Sequence, residues 1–217
     1  MDFEWPIFVA ALPALARGAA TTAELAAVSI LLGLVIGVFG GLARVSGMRV
    51  LNVAAIAYTT LMRGIPLLVT LLFLCYGLPS LGLLLEAKTV AIIALSVTNG
   101  AYVTEIVRAG ILSVDRGQMR AARSLGMGWA LAMRRIVLPQ ALRRVLPPIG
   151  NEAITLLKNT ALVSVIAIPD LLRAGTDVMT WQANTFSPFA GVALMYLMMT
   201  LPLVALVARL EAKWRVA

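Results

Sequence analysis

Residues 89–113 read TVAIIALSVTNGAYVTEIVRAGILS, twenty-five residues that carry only two charges, Glu105 and Arg108. A helix needs about 20 predominantly apolar residues to cross the ~30 Å hydrocarbon core of a bilayer, so this stretch reads as a membrane span. Four further stretches on either side qualify, at roughly 20–43, 53–78, 147–168 and 188–209, which predicts an all-α integral membrane protein with about five transmembrane helices. Composition agrees: 61% of the 217 residues are hydrophobic and 13% charged, with a mean hydropathy of +0.95, far from the mixture of a soluble domain. The net charge of +8 does not point to nucleic acid, because a nucleic-acid binder needs its basic residues on a solvated face, and here the intervening sequence is apolar. The lone Cys75 has no partner for an internal disulfide, and with no histidine there is no Cys/His zinc set.

The ends and loops supply orientation. The chain starts Met-Asp-Phe-Glu-Trp, acidic where a signal peptide is basic; residues 5–16 are apolar but too short to span, and are expected to form an interfacial helix outside the first span. The organisation expected is an external segment at 1–18, a single transmembrane domain at 19–212 with a loop at 114–146, and a tail at 213–217. Basic residues near span ends stay in the cytoplasm. One side collects Arg44, Arg49, Arg108, Arg116, Arg120, Arg123, Arg134, Arg135, Arg143, Arg144, Arg209, Lys213 and Arg215, against Arg17, Lys88 and Arg173 on the other. This predicts an N-terminus outside and a C-terminus inside, with the 114–146 loop in the cytoplasm. The chain has no GxxxxGK[ST] phosphate loop and cannot hydrolyse ATP by that route.

Within the loop, Arg116-Gly117-Gln118-Met119-Arg120-Ala121-Ala122-Arg123-Ser124-Leu125-Gly126 predicts a short helix over 118–125 stopped by Gly126, with Ala121 and Ala122 as a small surface open to close approach. A second helix, about 128–137, is expected to end at Pro139.

Intramembrane polar groups are costly, by about 2.5–3.5 kcal/mol for a charge on insertion scales, and each needs a reason. Arg63 lies mid-span just before Gly64 and Pro66, where the helix is expected to kink or open. Asn99, Tyr102 and Glu105 step by three along one polar stripe. Glu152, Thr155 and Asn159 share a face of the fourth span, with Lys158 and Thr160 beside it. Two readings stand: these groups pair with one another, Arg63 with Glu105 or Glu152 with Lys158, and lock the bundle, or they line a substrate pathway.

The loop, with Ala121-Ala122, Gly126 and then Ile136-Val137-Leu138-Pro139 in register, resembles the EAA coupling loop of ABC importer permeases. Arg63-Gly64-x-Pro66, Ala101-Tyr102-x-x-Glu105-Ile106-x-Arg108-Ala109-Gly110 and Leu157-Lys158-Asn159-Thr160-x-Leu162 resemble the polar amino-acid branch of that family, which imports histidine, glutamine, glutamate, arginine or opines. The resemblance runs from about 20 to 210. It implies a type I ABC importer permease fold in the bacterial cytoplasmic membrane, working by alternating access. The chain would be a transport subunit rather than an enzyme, with no cofactor of its own. Implied partners are ABC ATPase subunits that use ATP and magnesium, a homologous or identical permease subunit, an extracytoplasmic binding protein and a polar amino acid. By the same resemblance, Gln118, Arg120, Ala121, Ala122, Ser124, Leu125, Gly126, Leu138 and Pro139 contact the ATPase. Arg63 takes the α-carboxylate and Glu105 answers the α-ammonium, while Asn99, Tyr102, Glu152, Lys158, Asn159 and Thr160 complete the pathway.

Two positions depart from the pattern. Arg120 stands where the family has Glu, reversing a charge that faces the ATPase. Asn159 and Ala161 stand where the branch has Asp and Ser, which removes an attraction for cationic side chains and favours a neutral or acidic substrate. Three rivals remain at this level: a loop that merely lies on anionic headgroups, a transporter driven by an ion gradient with Glu105 or Glu152 as proton carrier, and an intramembrane enzyme, for which no nucleophile–base pair is visible.

Overall fold

The computed structural model describes residues 2–214, and among these all regular structure is helical. Met1 and 215–217, including Arg215 and most of the expected tail, lie outside the described residues. The elements are α1 (Trp5–Val45), α2 (Arg49–Gly64), α3 (Leu67–Leu72), α4 (Ala87–Leu112), α5 (Arg116–Ser124), α6 (Trp129–Ala132), α7 (Leu138–Asn159), α8 (Leu171–Gln182) and α9 (Phe186–Trp214). Three helices are long and apolar enough to cross a membrane, α1, α4 and α9, and the number rises to five if each of two bent pairs is one span. The expectation of about five holds in that form.

The spine of the bundle is α1 against α4. Gly33, Gly37 and Gly41 fall at every fourth position of α1, and a methyl added there would collide with Asn99, Val103 and Val107 of α4 respectively. Small residues at this spacing let two backbones approach closely where no hydrophobic effect is available to drive association. Behind this seam α7 closes on α4 at Gly110, where a side chain would strike Val145.

The second span breaks where proline demands it. Pro66 has no N–H, so the bond that would run back to the Met62 carbonyl cannot form. Ile65 and Pro66 are extended, with ψ of 128° and 139°, and the helices on either side, Arg49–Gly64 and Leu67–Leu81, meet at 99°. The expected kink is thus a full break. A π-turn at Phe73–Gly77 and a 3-10 turn at Leu78–Leu81 continue α3.

Two expectations are corrected. Residues 5–16 are not a separate interfacial helix: α1 is unbroken for 41 residues, about 60 Å at ~1.5 Å per residue, roughly twice the hydrocarbon thickness. Arg17 and Gly18 do not interrupt it, because Gly18 packs against the Asp170 carbonyl, so tertiary contact continues the helix. The helix after the loop does not end at Pro139. A π-turn at Met133–Val137 joins α6 to α7, and Pro139 sits in the first turn of α7, where the inserted residue displaces the carbonyl a proline ring would strike. The connection after the fourth span holds α8, capped by the Asp170 carboxylate accepting the Arg173 N–H at 2.9 Å. Its Leu171 N–H donates to Thr22 Oγ1 of α1 at 3.1 Å.

Candidate functional site

The break in the second span opens a cleft of about 490 Å³ between α2, α3, α4 and α7, lined by Arg63, Gly64, Pro66, Thr98, Tyr102, Glu152, Thr155 and Asn159 among others. Arg63 is the last basic residue before the break, and its guanidinium lies 5.3 Å from the centroid of the Tyr102 ring. Such a cation–π contact is worth about 0.5–1 kcal/mol exposed and ~2 when desolvated. Glu152 enters from α7 within electrostatic range of Arg63 and accepts a hydrogen bond from Asn99 Nδ2 at 3.3 Å. Asn99 is 2% exposed and fits because Gly33 leaves room beside it. It stands behind the cleft and orients Glu152. The cleft therefore offers a guanidinium, a carboxylate, an aromatic face, an amide and hydroxyls at one break in an otherwise apolar bundle.

Not every residue singled out in the sequence is there. Glu105 is held elsewhere: its carboxylate accepts from Arg108 Nε at 2.8 Å and from Arg44 Nε at 3.3 Å. Arg44 reaches on to Asn52 Oδ1 at 2.8 Å, so this network ties α1, α2 and α4 together. Neither expected lock pair, Arg63 with Glu105 or Glu152 with Lys158, forms. Lys158 is exposed and lies off the cleft lining. Thr160 is fully buried and donates to the Leu157 carbonyl at 2.7 Å. Two residues escaped sequence reading. Thr98, 8% exposed, lines the cleft with a hydroxyl that has no partner; its position one turn before Tyr102 was the available signal. Arg44 carried no signal beyond its charge.

The loop is a compact cap. Asp115 accepts the Gly117 N–H at the start of α5, and Gly126, at φ +84°, ends it. The Gly126 N–H donates to the Arg123 carbonyl and the Met127 N–H to the Ala122 carbonyl, the two bonds of a Schellman motif, which requires the left-handed conformation at Gly126. The expected stop at Gly126 is therefore observed. Arg120, Ala121, Arg123, Ser124 and Gly126 are exposed, Leu125 82% so, while Ala122 is buried and turns toward the loop's own core. Gln118 accepts from Gln140 Nε2 at 3.4 Å, tying α5 to the first turns of α7. Leu138 packs on the internal cluster of Val103, Val107 and Met133, and Pro139 is exposed at the start of α7.

Residues 30–216 match the family model described as the binding-protein-dependent transport system inner membrane component. The glutamine transport system permease protein of Escherichia coli strain K12 is 34% identical over 218 residues, covering 100% of both chains. The arginine transport system permease protein of Bacillus subtilis strain 168 is 34% identical over 98% of each. Among solved structures, a chain of an amino acid ABC transporter with histidines superposes with a TM-score of 0.92 at 38% identity, covering 98% of this chain and all of that one. An inward-facing methionine ABC transporter chain shares the fold, with a TM-score of 0.79 at 20% identity. The chain belongs to the family of binding-protein-dependent transport system inner membrane components.

Proposed function

We propose that this permease subunit carries a polar amino acid across the bacterial cytoplasmic membrane, with the cleft at the broken second span as its mid-membrane site. The observation that carries this reading is the convergence of Arg63, Tyr102, Glu152 and Asn159 on one cleft. A zwitterion needs a cation and an anion a few ångströms apart; Arg63 takes the α-carboxylate by its planar fork, and Glu152 takes the α-ammonium. Glu105, engaged by Arg44 and Arg108, is left to hold the bundle. Asn159 contributes no charge, so a neutral side chain is favoured. The relatives, named for glutamine and arginine, show that the shared fold serves more than one side chain.

The N-terminus lies outside and the arginine-rich loop inside. A second permease subunit, identical or homologous, faces the cleft across the membrane, and an external binding protein delivers the substrate. Separate ATPase subunits bind ATP and magnesium and dock on the loop through Arg120, Ala121, Ser124, Leu125 and Gly126. Alternating access follows when ATP draws the two loops together and tips the bundles outward.

Uptake into vesicles carrying the assembled transporter tests the site. Wild type is expected to need ATP on the loop side, to survive collapse of the proton gradient, and to prefer an amino acid over its carboxamide, which lacks the carboxylate. Removing one partner of a desolvated charge pair costs about 2–5 kcal/mol, so Arg63→Gln is expected to weaken uptake of the amino acid by ~30-fold or more and to erase that preference. Retention of the preference in Arg63→Gln would overturn the assignment.

A further inference from the structure

A buried polar node lies where the chain leaves the fourth span. Asp170, in the connection between that span and α8, is fully buried. Its Oδ1 accepts the Arg173 N–H and caps α8, whereas its Oδ2 is buried with no hydrogen-bond partner. Thr22 of α1, also fully buried, accepts the Leu171 N–H at 3.1 Å. The Tyr196 hydroxyl enters from α9 next to Thr22, Thr160 and Asp170, and it too is buried with no partner at hydrogen-bond distance. The node therefore joins α1, the end of α7, α8 and α9, and Thr160 directly follows Asn159 of the cleft.

An ionised Oδ2 would have nothing here to neutralise it. On α8, Arg173 pairs with Asp177 at 3.0 Å. On α1, Arg17 is exposed in an outer groove that Asp177 also lines, and Glu24 pairs with Lys88. Lys158, at the end of α7, is exposed, and from α9 the group that faces the carboxyl is the Tyr196 hydroxyl. A buried carboxyl in such surroundings takes up a proton at lower cost than it desolvates a charge. Burial pushes Asp170 from the ordinary 3.8 up to about 6, although the capping N–H groups and the Arg173 charge pull it the other way.

We propose that Asp170 is a proton-binding site: in the packed structure Oδ2 carries a proton and donates it to the Tyr196 hydroxyl, which locks the ends of α7 and α8 against α1 and α9. Loss of the proton leaves an unpaired charge in the node, and the node loosens. The orientation given above puts the source of the proton on the external side; the lock itself depends neither on that orientation nor on the substrate cleft. The sign follows from linkage. The carboxyl holds its proton more tightly in the folded chain than in the unfolded one, so the contribution of the lock is full below about pH 4 and is lost as pH rises through about 6.

The test compares the detergent-purified assembled transporter at pH 5 and pH 7.5 by hydrogen–deuterium exchange and thermal unfolding. A carboxyl moved from 3.8 to about 6 changes the folding equilibrium by roughly tenfold between these two conditions. Wild type is expected to protect residues 171–175 about tenfold better at pH 5, each value referred to residues 90–95 of α4 in the same sample. Asp170→Asn keeps the capping oxygen and places a fixed N–H donor where the proton sat, so its protection is expected to be the same at both pH values. The midpoint of wild type minus that of the variant is expected to fall by ~3–6 °C from pH 5 to pH 7.5. Asp170→Ser, which also caps and does not titrate, replaces it where the Asn variant does not purify. Tyr196→Phe, which removes the acceptor, is expected to cut the wild-type change to roughly half. Equal protection at both pH values in wild type overturns the proposal, as does a change that persists in Asp170→Asn or Asp170→Ser, or an undiminished change in Tyr196→Phe.

Discussion

Replacing Glu105 with Gln separates a structural role for this carboxylate from a role in the substrate pathway. The Glu105, Arg44 and Arg108 side chains are 18%, 17% and 31% exposed, with contacts of 3.3 and 2.8 Å to the two guanidiniums. Two unit charges about 4 Å apart attract by roughly 4 kcal/mol at an effective dielectric of ~20, and desolvation offsets part of that. Removing one member of a buried pair costs about 3–5 kcal/mol, because the survivor is left unpaired. Here two survivors of like charge would face each other, and their partial exposure argues for the lower end, about 3 kcal/mol. At ~2–4 °C per kcal/mol for a chain of this size, the thermal midpoint of the detergent-purified protein is expected to fall by roughly 6–12 °C. A double-mutant cycle with Arg44→Gln is expected to return a coupling of about 1–3 kcal/mol, while substrate affinity changes by less than about twofold. A midpoint within ~1 °C of wild type, together with a tenfold loss of affinity, would refute the reasoning and return Glu105 to the pathway.

At the α1–α4 seam, Gly37→Leu drives a side chain into Val103 and is expected to destabilise by about 1–3 kcal/mol or more, read as a lower thermal midpoint; Gly64→Ala, where an added methyl meets nothing, controls for the loss of glycine itself. At the loop, Gly126→Val forces a β-branched residue to φ +84°, at about 1–3 kcal/mol of local strain. It is expected to leave the spans folded, by circular dichroism, and to uncouple ATP hydrolysis from transport. Arg116, Arg120 and Arg123 have no ion-pair partner among the described residues, so the ATPase surface they meet is expected to be acidic. Arg120→Glu should then weaken ATPase binding by roughly fivefold at low salt and flatten its salt dependence, measured by co-sedimentation across ionic strength.

The amino-acid sequence by itself determined the class of this protein and where its unusual residues fall. Spans are a one-dimensional property: about 20 apolar residues suffice to cross the bilayer, and 89–113 meets that test with no knowledge of its neighbours. The break at Pro66 and the stop at Gly126 were equally legible, because a missing N–H and a left-handed φ are properties of single residues. Partnership was not legible. Asn99, Tyr102 and Glu105 step by three along α4, yet a helix turns by about 300° over three residues, and that drift sends Tyr102 to the cleft, Asn99 behind it and Glu105 to Arg44. Which acid faces Arg63 was settled by α7 packing beside α4 at Gly110, a contact between segments about thirty-five residues apart. Pro139 shows the same limit from the other side: a local rule ends the helix there, and a π-turn upstream lets it continue into the wall of the cleft. Periodicity and proline chemistry act along the chain, whereas the choice of partner for a buried charge depends on which helices the glycine seams allow to approach, and only the tertiary structure contains that.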